Sequence, residues 1–221
     1  MASRSSTRTY HSPRRREQAE ATRVAILAAA QRLFERDGYV GTSVTAIAQE
    51  AEVTPRTVYL GFETKAGLLR AVWNRALRGE RHEAPVAAQR WFQEVLEESD
   101  PERTLRLNAR NSRRFKERST ELLQVVRDAA PLEAEIAGLW DRIQTDYHAN
   151  QRAVVESLAP GALRRGLSVT RAADIIWTLN HPNTWIQLAV LRGWTPTRYE
   201  RWVGDTSCHQ LLAPRPPSRY G

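Results

Sequence analysis

Two short predicted helices separated by a three-residue turn constrain the fold of this chain more than any other feature. The stretch "SVTAIAQEA" begins with Ser43, whose side chain can cap a helix. The stretch "TPRTVYLGF" begins with Thr54, which can cap a second helix whose first residue is Pro55, a position where proline costs no hydrogen bond. A longer helix is expected from a Thr64 cap to about Arg81. This succession is typical of a helix-turn-helix unit followed by a supporting helix.

The rest of the chain also predicts helix, so the expected fold class is all-α. Apolar residues recur at three- and four-residue steps, and convincing strand alternation is absent. A first helix is expected from about Glu17 to Asp37, ended by Gly38. Beyond "HEAPVAAQ" the expected helices cover roughly 85–98, 101–117, 119–130, 132–158, 170–192 and 196–212. The fifth of these should break at "NHPN", because Pro182 removes a hydrogen bond and disfavours helical geometry at His181.

These helices predict two domains and two tails. We expect a basic disordered arm over 1–16, a helix-turn-helix domain over 17–66 and a larger helical domain over 67–212. The helix over 65–81 should belong to both domains. The tail over 213–221, "APRPPSRYG", is rich in proline and is expected to be disordered.

The charge of the chain favours an anionic partner. The net charge is +8 and the pI is about 10.3. Five arginines and no acid in residues 1–16 supply +5 of that charge. This arm could follow phosphates or lie in a minor groove, or it could be a solvated tail. A second basic run, "RTLRLNARNSRRFKER" over 103–118, is interpreted as a solvated helix face, with an anionic ligand or DNA as the alternative.

Other features argue against a membrane protein or a secreted one. No stretch approaches eighteen consecutive apolar residues, and the N-terminus has no apolar core of a secretory signal. The single cysteine, Cys208, rules out an intrachain disulfide and is typical of a reducing compartment. We therefore expect a cytoplasmic protein with no membrane partner.

Enzyme signatures are also missing from the sequence. The five histidines lack metal-ligand spacing, and no CxxC, P-loop, strand-linked GxGxxG or GxSxG motif is present. Cys208 and His209 are adjacent, so on one helix their side chains diverge by about 100° and do not suit a catalytic dyad. The sequence therefore predicts no enzymatic activity, no metal and no cofactor.

Three patterns occur in one order over residues 23–69: "IL-AA--LF---GY", "GTSV--IA--A-V" and "T---VY-GF--K--LL". In order and spacing they resemble the DNA-binding domain of the TetR family of bacterial transcription regulators. The later stretch "AADIIWTLNHPNTWIQLAVLRGWTPTRYERWV" resembles the C-terminal helices of many members. The resemblance implies an N-terminal three-helix DNA-binding domain and a larger C-terminal ligand-binding and dimerisation domain.

The second helix of the motif has the size and chemistry to read DNA. About nine residues span roughly 13 Å, which suits a major groove, and Arg56 can pair with guanine O6 and N7. The resemblance implies backbone contacts by Thr42, Tyr59 and Lys65 and base contacts at Pro55, Arg56 and Thr57. The full set of candidate DNA-binding residues is Thr42, Ser43, Thr54, Pro55, Arg56, Thr57, Tyr59, Leu60 and Lys65.

Three residues depart from the family pattern. Glu52 stands where the family usually has glycine, and if that position has a positive φ it costs on the order of 1 kcal/mol. Gly61 replaces a common aromatic residue or histidine, so the end of the helix either approaches the DNA backbone closely or contributes little. Gly67 is expected to weaken the start of the following helix.

The C-terminal helices offer candidates for a dimer interface and a ligand pocket. The candidate dimer residues are the apolar side chains Trp185, Leu188, Ala189, Tyr199 and Trp202, which a monomeric core would explain equally well. The resemblance implies that the last two long helices pair with their copies. The candidate pocket residues are Trp91, Asn108, Phe115, Trp140, Tyr147 and Trp177, for which plain core is the alternative.

Together these features predict a sequence-specific regulator that binds double-stranded DNA. A homodimeric repressor released from its operator by an unidentified small-molecule effector is the form we expect. Two alternatives remain: a ligand-independent architectural protein or activator, and a small-molecule-binding helical module whose DNA motif has decayed.

Overall fold

A computed structural model of the chain describes residues 13–78 and 86–214. The described residues are all-α, as predicted, and contain no strand apart from an isolated bridge between Leu163 and Leu212. The described residues form two compact units, with the division between Val72 and Trp73. Most of the predicted N-terminal arm and C-terminal tail lies outside the described residues.

The first unit is built on three helices and the start of a fourth. They are α1 Pro13–Gly41, α2 Val44–Glu50, α3 Pro55–Phe62 and α4 Lys65–Arg78. The helical path of α1 is interrupted at Gly38, where φ is 70°, so this glycine ends the regular helix as expected. The division between the units falls within α4, the helix that was predicted to belong to both domains.

Side-chain caps fix where the next three helices begin. Ser43 Oγ accepts a hydrogen bond from the Ala46 N–H at 3.0 Å, and Thr54 Oγ1 accepts one from the Thr57 N–H at 3.2 Å. Thr64 Oγ1 accepts one from Gly67 N–H at 2.8 Å. All three caps are those predicted from the sequence, and such a cap is worth about 1 kcal/mol.

The core of the first unit follows the predicted apolar spacing. Its fully buried side chains include Ala29, Ala30, Phe34, Ile47, Val58, Leu68, Leu69 and Val72. Burying one large apolar side chain contributes about 1.5–3 kcal/mol. This packing holds α2 and α3 in place although each has only seven or eight residues, too short for a stable isolated helix.

The second unit contains the remaining helices. They are α5 Arg90–Leu96, α6 Pro101–Ala129, α7 Ala134–Glu156, α8 Val169–Leu179, α9 Pro182–Trp185 and α10 Pro196–Leu211. A short 3-10 turn, Val86–Ala88, precedes α5, and α9 continues as a π-helical turn over Ile186–Leu191. Helix α6 packs against α7 and α10, and α7 packs against α8.

Two predicted helix boundaries are wrong. The expected helices 101–117 and 119–130 are one continuous helix, α6, because Ser119 and Thr120 do not start a new helix. Their hydroxyls donate to the carbonyls of Phe115 and Lys116 one turn earlier, at 2.8 and 2.6 Å. The expected helix 85–98 is divided into the turn Val86–Ala88 and α5.

The predicted break at "NHPN" is confirmed. Helix α8 ends at Leu179, and His181 has the extended backbone, with ψ at 142°, that a residue before proline favours. Pro182 is then the first residue of α9, and His181 Nδ1 accepts a hydrogen bond from the Asn183 N–H at 3.2 Å.

Candidate nucleic-acid interface and interior polar site

Helix α3 has one buried face and one exposed face. Val58 and Phe62 are buried in the first unit. On the opposite side Arg56 is exposed, while Tyr59 is 51% and Leu60 78% exposed. Exposing the apolar side chain of Leu60 to water is unfavourable in free energy unless another molecule covers it. The exposed face therefore combines a guanidinium, a phenol and an aliphatic side chain, a set able to contact both phosphates and base edges.

The N-terminal end of α3 is open to solvent. Thr54 and Pro55 are exposed and Thr57 is half-buried. The two threonine hydroxyls lie 2.9 Å apart and share a hydrogen bond. Because the first N–H groups of a helix carry partial positive charge, this end of α3 attracts anions such as phosphate.

The turn between α2 and α3 contains the predicted strain. Glu52 has a φ of 54°, the left-handed conformation that glycine adopts without cost. The Val53 N–H donates to the Ala48 carbonyl at 2.9 Å, so the turn is closed by the main chain. The glutamate therefore keeps the turn geometry at a cost of about 1 kcal/mol, and it places an exposed carboxylate beside the start of α3.

The junction between α3 and α4 is tighter than the sequence indicated. Glu63 has a φ of 64° and a ψ of −55°, and the Thr64 N–H donates to the Phe62 carbonyl at 2.7 Å. A Cβ atom on residue 67 would lie 2.4 Å from the Phe62 oxygen. Gly67 is therefore required by this close approach, and the view of it as only a weak helix former is incomplete.

Lys65 also stabilises the junction between α3 and α4. Its ammonium donates to the carbonyls of Tyr39 and Thr42 at 3.0 and 3.2 Å. It also lies 4.1 Å from the centre of the Tyr39 ring. These contacts use two of the three N–H donors of the ammonium. The third is left for the predicted phosphate contact.

The side chain of Thr42 faces inward, which changes its predicted role. Thr42 is 2% exposed, and its hydroxyl donates to the carbonyls of Leu33 and Gly38 at 3.0 and 2.8 Å. Any contact of this residue with a DNA backbone must therefore come from its main chain. Its neighbour Ser43 is exposed, and its oxygen is held by the cap of α2.

Gly61 lies on the exposed side of α3 with open space around it. No atom lies within 4 Å of the position that a Cβ would take. The guanidinium of Arg23 lies 4.6 Å from the Phe62 ring centre and donates to the Gly61 carbonyl at 3.4 Å. This end of α3 is therefore held by α1.

A chain of hydrogen-bonded polar groups links helices of the second unit. Lys116 on α6 is 2% exposed, and its ammonium donates to Ser112 Oγ at 2.9 Å. Ser112 Oγ lies 3.1 Å from the Tyr147 hydroxyl. Tyr147 on α7 donates to the Asn180 carbonyl, at the end of α8, at 2.6 Å. The chain joins three helices through the fully buried Lys116 and the half-buried Ser112 and Tyr147.

A second set of polar contacts continues from Asn180. Gln151 Oε1 accepts hydrogen bonds from Asn108 Nδ2 at 2.9 Å and from Asn180 Nδ2 at 3.5 Å. Two buried polar atoms, Trp177 Nε1 and Asn180 Oδ1, have no hydrogen-bond partner among the residues that the structure describes. Because buried polar groups are nearly always paired, these two atoms mark a place where a ligand can supply the partner.

Burial dominates the titration of this region. It lowers the pKa of Lys116 well below the ordinary lysine value and raises the pKa of Tyr147 and of Tyr199. Burial, and then the nearby charge of Lys116, lower the pKa of His181. His181 Nε2 lies 3.1 Å from Gln144 Oε1. Lys116 and His181 are therefore favoured in their neutral forms unless an anion binds beside them.

Three of the six candidate pocket residues lie in this interior site. Asn108 and Tyr147 are part of the polar chain, and the Trp177 ring lies 5.1 Å from the His181 ring. The other three are elsewhere in the unit: Phe115 packs edge-on to Trp73, Trp91 packs on Phe92, and Trp140 is half-buried on α7.

Sequence reasoning missed Ser112, Lys116, Gln151, Asn180 and His181. The basic run over 103–118 was interpreted as solvated, which holds for its exposed arginines but is wrong for Lys116. Arg113 is half-buried and pairs with Glu200 at 3.0 Å. The available signal was spacing: Ser112 and Lys116 are four residues apart and so share one face of a helix.

The candidate dimer residues form one apolar cluster, and two of them are core. Trp185 is 6% and Tyr199 0% exposed, with ring centres 5.0 Å apart. Leu188, Ala189 and Trp202 are half-buried and pack on the same cluster. Trp185 and Tyr199 thus match the core alternative. The exposed apolar residues beside the cluster are Val190 and Leu191, at 59% and 72%.

No group of three or more histidine, cysteine or carboxylate side chains is placed to hold a metal ion in residues 13–78 and 86–214. Over the same residues, no helix has the length and apolar character that crossing a membrane requires.

Comparison with known proteins agrees with this architecture. Residues 26–72 match the model for bacterial regulatory proteins of the tetR family, which confirms the resemblance noted in the sequence. No curated protein matches the chain significantly.

Solved structures give the same fold over nearly the whole chain. One is NalD, the secondary repressor of the MexAB-OprM multidrug efflux pump in Pseudomonas aeruginosa, with 22% identity, 88% of this chain and 98% of NalD covered and a TM-score of 0.65. A complex of SmeT with triclosan is 20% identical in sequence. The match covers 91% of this chain and 98% of SmeT, with a TM-score of 0.69. A protein from Rhodococcus sp. that is described as a tetR-family transcriptional regulator is 19% identical in sequence. The match covers 84% of this chain and 96% of that protein, with a TM-score of 0.61.

Proposed function

We propose that this chain, whose residues 26–72 belong to the tetR family of bacterial regulatory proteins, is a homodimeric repressor that a small molecule releases from its operator. The proposal places it in the cytoplasm and gives it no enzymatic activity. One observation supports the proposal more strongly than the others. The second helix of the helix-turn-helix motif exposes Arg56, Tyr59 and Leu60 on a face opposite its buried residues.

The roles of the exposed residues follow from their chemistry. Arg56 is suited to a bidentate contact with guanine in the major groove, and Leu60 to an apolar contact with a thymine methyl. Tyr59 and Lys65 are suited to phosphate contacts, which set the position of the helix and carry no sequence information. The positive end of α3 adds attraction for the same phosphates.

Polar side chains in the interior of the second unit, such as Lys116 and Asn180, support a response of this unit to a ligand. Fold neighbours include a repressor of a multidrug efflux pump and SmeT, whose structure is a complex with triclosan, and the second of these supports a small-molecule effector for this chain. A ligand can change operator affinity only by as much as it prefers one conformation over another. Helix α4, which contributes residues to both units, is the element proposed to transmit that preference.

A homodimer is expected because one helix-turn-helix covers only a short half-site. The proposed interface uses the exposed side chains Val190 and Leu191 together with the half-buried Leu188, Ala189 and Trp202. Trp185 and Tyr199 support this surface from within the protomer.

Selection of genomic DNA fragments by the purified protein, at about 150 mM salt, tests the proposal, with footprinting of the fragments retained. A short palindrome protected by a dimer is the expected result. Diffuse, salt-sensitive binding without a preferred site would instead indicate a ligand-independent architectural protein. Absence of DNA binding would indicate a module whose DNA motif has decayed.

A further inference from the structure

We propose that the second unit holds a binding site for an aromatic carboxylate, in which the Lys116 ammonium recognises the anion. This inference rests on the ligand-responsive regulator proposed above and names the chemical class of its effector. Lys116, Trp177 and Asn180 carry the argument, and all three belong to residues 73–221, the second compact unit.

Lys116 is a buried amine for which the described part of the chain supplies no anionic partner. It is 2% exposed, and its ammonium makes one hydrogen bond, to Ser112 Oγ at 2.9 Å. The ring of Tyr199 also lies near the amine, with its centre 5.4 Å from Nζ. Within residues 13–78 and 86–214 no carboxylate forms an ion pair with it. Buried charges are normally paired, because an unpaired one is strongly unfavourable in an apolar interior.

Among the residues that the structure describes, Ser112 Oγ is the hydrogen-bond acceptor found for the Lys116 amine, so a charged form of this side chain would keep protons available for a ligand. Tyr147 has one hydroxyl proton and donates it to the Asn180 carbonyl at 2.6 Å. The Ser112 hydroxyl must therefore donate to the Tyr147 oxygen, 3.1 Å away. Ser112 Oγ then accepts from Lys116, so the chain runs from the ammonium to the Asn180 carbonyl. A carboxylate has the oxygens to accept the remaining ammonium protons.

Two further unpaired atoms lie in the same part of the unit. Within the described ranges, Trp177 Nε1 is a buried donor without an acceptor, and Asn180 Oδ1 is a buried acceptor without a donor. The Trp177 ring packs 5.1 Å from the His181 ring, and the charge of Lys116 reaches His181 and lowers the pKa of that imidazole. The hydrogen-bond chain from Lys116 through Ser112 and Tyr147 ends at the carbonyl of Asn180, the residue that bears the unpaired Oδ1.

The rings beside Lys116 and beside the unpaired atoms favour an aromatic body for the ligand. Tyr199 presents its ring to the ammonium, and Trp177 and His181 pack edge to face at an interplanar angle of 73°. Aromatic ligands gain both buried area and favourable edge-to-face contacts from such rings. A bound carboxylate would also restore the charged form of Lys116, because a nearby anion raises the pKa of an amine.

Calorimetric titration of the full-length protein with matched acid and amide pairs tests this inference. The probes are indole-3-acetate and indole-3-acetamide, 2-naphthoate and 2-naphthamide, and cinnamate and cinnamamide. We expect at least one acid to bind tenfold or more tightly than its amide. Lys116→Met and Lys116→Gln should abolish that preference. Arg110→Met, which removes an exposed cation from the same helix, should preserve it.

Several results would overturn the inference. These are no binding by any of the three acids, equal affinity for acid and amide, or an acid preference that survives both Lys116 substitutions. Circular dichroism shows whether the variants are folded, and the acid-to-amide ratio of the unmodified protein decides the question if they are not. The titration contains no DNA, so its failure leaves the genomic selection unaffected, and failure of the selection leaves the titration standing.

Discussion

Gly67 lies against the main chain of Phe62, so that a Cβ atom on residue 67 would be 2.4 Å from the Phe62 carbonyl oxygen. That oxygen also accepts the Thr64 N–H at 2.7 Å in the tight turn between α3 and α4. Because the obstacle is backbone, a larger residue can be accommodated only by moving the end of α3. The glycine therefore links the start of the supporting helix to the position of the proposed recognition helix.

Replacing Gly67 with alanine should destabilise the protein by about 1–3 kcal/mol, the usual cost of overpacking. Gly61→Ala is the matched control, since nothing lies within 4 Å of its Cβ position and alanine favours a helix over glycine by up to about 1 kcal/mol. Urea denaturation measures both changes. Equal stability of Gly67→Ala and the unmodified protein would show that the turn tolerates a side chain.

Replacing Glu52 with glycine should stabilise the protein by up to about 1 kcal/mol, because φ at this position is 54°. Glu52→Gln keeps the backbone strain and removes the charge, so it separates the two effects. Thermal denaturation should detect a gain only for the glycine variant. Both variants should bind DNA more tightly, because each removes an anion beside α3; a gain in stability for Glu52→Gln would contradict the assignment to backbone strain.

Replacing Lys116 with methionine should stabilise the ligand-free protein at pH 7 by about 1–3 kcal/mol, since an unpaired buried amine is removed. The folded state holds the pKa of Lys116 below its ordinary value, so below about pH 10.5 the unfolded chain binds more protons at this residue than the folded chain. Stability of the unmodified protein relative to the variant should therefore rise with pH towards that value.

Urea denaturation of both proteins between pH 7 and about pH 9.5 measures this change. This range lies below about pH 10, the pKa of tyrosine in the unfolded chain, above which ionisation of Tyr147 and Tyr199 would also change the stability. The pKa of His181 is lowered below the ordinary histidine value by burial, so this imidazole is neutral in both proteins over the pH range measured. Arg110→Met controls for loss of a charge from the exposed side of α6. A constant difference across the pH range would argue against an amine whose pKa is lowered by folding.

Replacing Leu191 with glutamate should weaken dimerisation and leave the protomer folded, because this side chain is 72% exposed and surface changes usually alter stability by less than about 0.5 kcal/mol. Leu132→Glu, at another exposed leucine, is the control and should leave the dimer intact. Trp185→Ala should cost about 3–5 kcal/mol through loss of core packing. Analytical ultracentrifugation follows the association; a Leu191→Glu protein that dimerises as before would place the interface elsewhere.

Local signals in the sequence predicted much of the fold. Ser43, Thr54 and Thr64 cap helices through contacts with residues three positions away, and Pro182 breaks a helix through its own ring. Each of these effects depends on a few neighbouring residues. The positive φ at Glu52 was anticipated for the same reason, from the glycine that usually fills that turn.

Features that depend on distant residues could not be predicted in this way. The burial of Lys116 depends on Ser112, Tyr147 and Tyr199, which come from three helices. The inward direction of the Thr42 hydroxyl depends on the carbonyls of Leu33 and Gly38. Sequence spacing identified the helix that bears each residue, and packing decided which way the side chain points.

The ratio of affinities for the selected operator and for scrambled DNA, compared between the unmodified protein and Arg56→Ala, tests the central claim most directly. If α3 reads bases through Arg56, the ratio should fall roughly tenfold or more, while binding to scrambled DNA changes little. Tyr59→Phe should instead weaken binding to both DNAs alike. An unchanged ratio for Arg56→Ala, measured at one salt concentration, would contradict the assignment of base recognition to this residue.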